Sequence, residues 1–167
     1  GVLQDYKTAV KWWKLAAERG FASAQFNLGF MYGKGQDVPQ NYKTAVKWYR
    51  LSAEQGHAGA QFNLGLMYRK GEGVLQDYKT AVKWYKLAAE QGHASAQTNL
   101  GTMYDDGQGV LQDYIRAHMW FNIAASSGES KKASKNRDIV AKRMNTSQIE
   151  TAQKLARECV KKNYKGC

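Results

Sequence analysis

The chain has 167 residues, of which 43% are hydrophobic and 12% aromatic, a balance that excludes a disordered segment. It holds a single proline, Pro39, and no run near the roughly 18 apolar residues that a membrane-spanning helix needs. The net charge is +11, and from residue 129 onward eleven Lys/Arg face only four Asp/Glu. That basic excess is either a solvated surface or an attraction for an acidic partner, an anionic membrane surface or nucleic acid.

Tyr6, Tyr42, Tyr78 and Tyr114 stand 36 residues apart, as do Trp12, Trp48, Trp84 and Trp120, and Gly20, Gly56, Gly92 and Gly128. Self-similarity at one such period predicts a stacked solenoid, in which each repeat buries its faces against its neighbours. Gly1-Val2 aligns with Gly73-Val74 in mid-repeat, so the sequence reads as a piece, or a processed product, of a longer protein.

In the first copy Asp5 is the expected N-cap, with Asn41, Asp77 and Asp113 in the same place later. The helix that follows runs to about Arg19, before Gly20 as the C′ glycine. Its residues Tyr6, Ala9, Val10, Trp13, Ala16 and Ala17 share one face, and Trp12 and Leu15 add a second apolar flank. A second helix starts in Phe21–Gln25 and runs to about Tyr32, with Ala24, Leu28, Met31 and Tyr32 facing inward. Gly29, Gly65 and Gly101 interrupt these second helices at a cost of roughly 1 kcal/mol each, which predicts the close approach of another backbone. Gly35, Gly71 and Gly107 mark the turn into the next copy.

The fourth copy departs from the pattern. Ile115 and Met119 stand where earlier copies carry lysines, so something must cover that face. A helix is predicted from about Ser130 to Met144. Asn145 with Gln148 then forms a capping box for a last helix to about Lys162. The stripe Ile149, Ala152, Leu155, Ala156 and Cys159 on this helix is expected to cover Ile115 and Met119. The organisation expected is therefore repeats over 1–128 (1–36, 37–72, 73–108, and a first helix in 109–128), followed by an atypical second helix, capping helix and basic tail over 129–167.

The recurring residues Ala81, Trp84, Tyr85, Ala88, Ala89, Gly92, Ala94, Ala96, Gln97, Asn99, Leu100, Gly101, Met103, Tyr104, Gly107, Gly109 and Val110 form a pattern that resembles the Sel-one-like repeat. This is a subclass of the tetratricopeptide-type solenoids, and the match covers residues 1–128 nearly unbroken. The resemblance implies an all-α, right-handed α/α superhelical solenoid of antiparallel helix pairs with a C-terminal capping helix. It also implies a protein-binding scaffold or adaptor, and for many bacterial members a periplasmic or secreted location. Cysteine-rich relatives look like β-lactam-binding proteins and carry a cysteine pair in each repeat, which this chain lacks.

Lys7, Lys11 and Lys14 share one helix face, repeated as Lys43, Lys47 and Arg50 and as Lys79, Lys83 and Lys86. By resemblance to related solenoids this face lines the concave groove. It is either a groove for an acidic protein or peptide or an ordinary solvated face. A second reading has the same ladder hold an anionic polymer, nucleic acid or acidic polysaccharide. The aromatic series Trp12, Trp13, Trp48, Tyr49, Trp84, Tyr85, Trp120 and Phe121 sits at core or inter-repeat positions, which disfavours base stacking and nucleic acid. Phe26, Phe30, Phe62 and Leu66 lie opposite the inward stripe as an apolar patch or a contact with the following repeat. An exposed first-repeat face around Trp12 and Leu15 offers self-association. Cys159 and Cys167 either bridge or remain two free thiols, since spacing does not decide geometry. No CxxC pair, nucleophile–base pair or phosphate loop stands out, and His57, His93 and His118 have no converging ligands, so no enzyme, metal or cofactor is expected.

Overall fold

The computed structural model describes residues 6–128 and 131–167, with side chains throughout except those of Tyr6, Lys7 and Ala9. The N-cap expected at Asp5 and the side chain of Lys7 lie outside the described residues. The fold is all-α: the described residues form nine helices and no strand. The chain divides into two compact units, Gly1–Gln76 and Asp77–Cys167.

Unit 1 holds α1 (Tyr6–Glu18), α2 (Ala22–Lys34), α3 (Tyr42–Glu54) and α4 (Ala58–Lys70). Each helix packs on the next, so the two hairpins stack. The Asn41 side chain accepts from Thr44 N at 2.9 Å and starts α3. Left-handed Gly35 and Gly71 (φ 69° and 73°) end α2 and α4, their N–H groups returning to Met31 and Met67 carbonyls. The core of the first hairpin joins Val10, Ala17, Ala24, Leu28 and Met31, with Ala16, Val38 and Trp48 packed against it.

Unit 2 holds α5 (Tyr78–Ala89), α6 (Ala94–Asp106), α7 (Tyr114–Ser126), α8 (Lys131–Ala141) and α9 (Thr146–Lys161). Asp77 and Asp113 cap α5 and α7 through the N–H groups of Thr80 and Arg116. Asn145 and Gln148 form the reciprocal capping box that opens α9. This helix packs on α7, where Met119 is buried and Ile115 half-buried. The apolar replacement in the fourth copy is thus covered by the chain's own last helix.

Two expectations need correcting. Trp13, expected on the inward face of α1, is 37% exposed, and Trp12 lies on the open first-repeat face at 65% exposure. Trp48, the counterpart of Trp12, rests on the cluster of the hairpin before it. No helix stands before α1 among the described residues to do the same for Trp12. The close approach at the second-helix glycines is also made first by a side chain: a Cβ on Gly29 would lie 2.6 Å from Cδ1 of Tyr49, while at Gly101 the backbone oxygen of Ala117 does come within 3.2 Å. What approaches first at both is an aromatic ring. Gly101 repeats the arrangement beneath Phe121, with ring atoms 2.8 Å from the same notional Cβ.

Buried glutamines tie the hairpins together. Gln25, Gln61 and Gln97 each donate from Nε2 to the carbonyl eight residues earlier, on Ala17, Ala53 and Ala89, at 3.1–3.2 Å. These carbonyls lie at the ends of the first helices and also accept from the N–H groups of Gly20, Gly56 and Gly92 at 3.0 Å. Gln40, Gln76 and Gln112 likewise donate to the carbonyls of Gly33, Arg69 and Asp105 at the ends of the second helices.

Candidate interaction interface

Among the described side chains of the basic ladder, Lys11, Lys14, Lys43, Lys47, Arg50, Lys79, Lys83 and Lys86 are all exposed. Helical spacing places three on each first helix, one turn apart. They are not equally free. Arg50 donates to the Tyr68 hydroxyl at 2.6 Å, and Lys86 pairs with Glu90 at 3.9 Å. Lys47 lies 5.5 Å from the Trp48 ring centroid, a cation–π contact that steadies its stem without neutralising it. Lys43, Lys47 and Lys83 make no ion pair among the described residues.

The four apolar candidates separate. Phe26 is half-buried and stacks on His57, centroids 4.6 Å apart and planes at 23°, with Tyr49 at 6.0 Å. It is therefore a packing contact with the following hairpin. Phe62 is half-buried. Phe30 is 40% exposed, and with half-buried Leu66 it lines a groove of about 190 Å³ between α2 and α4. None of the ladder residues lines this groove; its cations are Lys34 and Lys70. Its Tyr49 phenol is pushed up by burial, against a hydrogen bond with Asn63 that lowers it, so it stays protonated. Thr98, at the position of Phe26 and Phe62, is buried, and its hydroxyl donates to the Ala94 carbonyl at 3.0 Å.

His57 and His93 have a role that sequence reasoning missed. Each Nδ1 accepts the N–H three residues on, from Ala60 and Ala96, at 3.2 Å, so both are helix N-caps. The signal was present, since each stands between a turn glycine and the first helical alanine. Phe21 takes the same position before α2 and provides no side-chain cap. His118 is 3% exposed; burial, and then the Arg137 guanidinium, push its pKa down, while Asp138 opposes them. Among the described residues no three His, Cys, Asp or Glu converge to hold a metal ion, and no helix is long and apolar enough to cross a membrane.

Cys159 and Cys167 are joined in a disulfide, Cα atoms 5.7 Å apart. Tyr164 N donates to the Cys159 carbonyl at 2.9 Å, and a Cβ on Gly92 would meet the Tyr164 ring at 3.2 Å. The tail is thereby folded back onto unit 2.

The Sel1 repeat family model matches residues 1–21, 22–57, 58–93 and 94–129. Its repeat unit starts at the second helix of each hairpin, a register half a repeat from the hairpin boundaries but with the same period. Among solved structures, a protective antigen of uropathogenic Escherichia coli displaying an SLR fold is similar, at TM-score 0.72 and 28% identity. That likeness covers 97% of this chain and 43% of the antigen, so the chain spans less than half the antigen's length. A Sel1 repeat protein from Oxalobacter formigenes is 38% identical at TM-score 0.70, covering 78% of this chain and 97% of its own. Cysteine-rich protein B of Helicobacter pylori shares the fold at TM-score 0.61 and 21% identity, over 81% of this chain and 96% of its own. A comparison with curated protein sequences found no match.

Proposed function

Because the chain belongs to the Sel1 repeat family, we propose that it is a non-catalytic scaffold holding an acidic protein or peptide on the lysine-bearing face of its first helices. Sel1 repeat proteins are generally protein-interaction scaffolds. The observation that carries the finer reading is the repetition of exposed lysines without ion pairs, Lys43 and Lys47 on α3 and Lys83 on α5. Such charges speed encounter with an acidic partner and set its salt dependence more than its final affinity. Resemblance to related solenoids supports reading this face as the concave side. Exposed Trp12 and Leu15 support a second contact, self-association through the first hairpin. The Cys159–Cys167 bridge supports a periplasmic or secreted location, where disulfides persist.

The test is affinity capture from the source cell by wild type and by Lys47→Glu with Lys83→Glu. One defined partner captured by wild type and lost by the variant, with reduced salt dependence, supports the reading. Unchanged capture refutes it. Unselective capture of nucleic acid or acidic polysaccharide, falling linearly with salt on logarithmic axes, identifies an anionic-polymer binder instead.

A further inference from the structure

The second helices of successive hairpins are joined differently in the two units. In unit 2 Arg143, just beyond α8, donates to Asp105 of α6 at 2.8 Å and lies 5.7 Å from the Tyr114 ring. An ion pair therefore bridges α6 to the end of α8. In unit 1 the corresponding positions are changed. Gly33 stands for Asp105 and Lys34 for Asp106; Lys70 stands for Arg143, allowing for the one inserted residue in the fourth copy.

With glycine at position 33, no carboxylate reaches across to Lys70. Lys70 pairs instead with Glu72 of its own turn, at 3.4 Å in an exposed setting. Lys34 makes no ion pair among the described residues. A groove of about 190 Å³ lies there, with Phe30 and Leu66 on its helices, Tyr42 and Tyr49 from α3, and both lysines in its lining together with Glu72, which leaves Lys34 as its unpaired cation. That volume is below the roughly 300–1,000 Å³ of small-molecule sites, which favours a single inserted side chain over a cofactor.

We propose that this groove docks an acidic–apolar peptide segment of a protein partner. A carboxylate of the peptide takes the place that Asp105 holds in unit 2, beside Lys70 and Lys34. The neighbouring Leu, Met or Phe side chain enters between Phe30 and Leu66. The groove is separate from the lysine ladder, so its occupancy does not depend on the function proposed above.

The decisive variant is Gly33→Asp, which restores the carboxylate from within. It is compatible with folding: a Cβ on Gly33 meets nothing nearer than the Ala45 Cβ at 3.7 Å and the Tyr49 hydroxyl at 3.8 Å. Random dodecapeptides displayed on phage are selected on the full chain, and enriched peptides are titrated by fluorescence anisotropy. Enrichment of Asp or Glu within two residues of Leu, Met or Phe is expected. Gly33→Asp should weaken these peptides by about tenfold or more by pairing with Lys70 internally. Gly33→Ala should retain them, and Lys47→Glu with Lys83→Glu should shift them by no more than about twofold at physiological salt. No enrichment, enrichment of basic peptides, or equal binding to Gly33→Asp overturns the proposal. So does a polyglutamate peptide without apolar residues that binds as well as the selected ones.

Discussion

Gly29 and Gly33 lie one turn apart on α2, and the same substitution at each should change stability in opposite directions. At Gly29 a Cβ would fall 2.6, 2.8 and 2.9 Å from three ring atoms of Tyr49, inside any tolerable carbon contact. The ring is buried under the hairpin and has no free end to swing aside. Overpacking of this kind costs about 1–3 kcal/mol, and alanine's helix propensity returns about 1 kcal/mol, leaving Gly29→Ala destabilised by up to about 2 kcal/mol. At Gly33 the nearest atoms are 3.7, 3.8 and 4.0 Å away, ordinary contact distances. Only the propensity gain remains there, so Gly33→Ala should stabilise by up to about 1 kcal/mol. Urea unfolding followed by circular dichroism reads both variants in the same unit. In a Tyr49→Leu background the Gly29→Ala penalty should fall below about 0.5 kcal/mol, because the clash is with the ring. If Gly29→Ala stabilised as much as Gly33→Ala, the argument from ring approach would be refuted.

Gln61→Leu should destabilise by about 0.5–1.5 kcal/mol in the same assay, since it removes one of the hydrogen bonds to the Ala53 carbonyl while the Gly56 N–H bond remains. Burial holds His118 neutral with a folded pKa below the unfolded value of about 6.5. The unfolded state therefore binds more protons, and stability is complete above about pH 6.5 and declines as pH falls toward the depressed folded value. In His118→Phe that slope should disappear from the pH dependence of unfolding. The Cys159–Cys167 bridge closes residues eight apart, and losing it in Cys159→Ser with Cys167→Ser should cost about 2–3 kcal/mol through the entropy of the unfolded chain. Wild type under reductant should lose as much.

Much of the fold was legible because local chemistry and the period agree. Asn41, Asp77 and Asp113 announce helix starts, Gly35, Gly71 and Gly107 announce ends, and Asn145 with Gln148 announces the last helix. The apolar positions Ile115 and Met119 correctly demanded a cover, and α9 supplies it. What the pattern hid was tertiary. Gln25, Gln61 and Gln97 recur as plainly as the glycines, but their bond to a carbonyl eight residues back exists only once the hairpin closes. Trp12 and Trp48 follow the same run Thr-Ala-Val-Lys and differ in exposure because a hairpin precedes only one of them among the described residues. The groove beside Phe30 is lined by Gly33, a position without a side chain. It becomes visible only when Gly33 is set against the ion pair of Asp105 with Arg143.

The central claim, that a partner is held on the lysine face of the first helices, is tested most directly by lysine footprinting. The chain, alone and with its captured partner, is briefly acetylated, and modification at each lysine is read by mass spectrometry. The account predicts slowed reaction at Lys43, Lys47, Lys79 and Lys83, with exposed Lys142, Lys154 and Lys161 unchanged. Slowing confined to the residues after 129, with Lys47 and Lys83 as reactive as in the free chain, would contradict it.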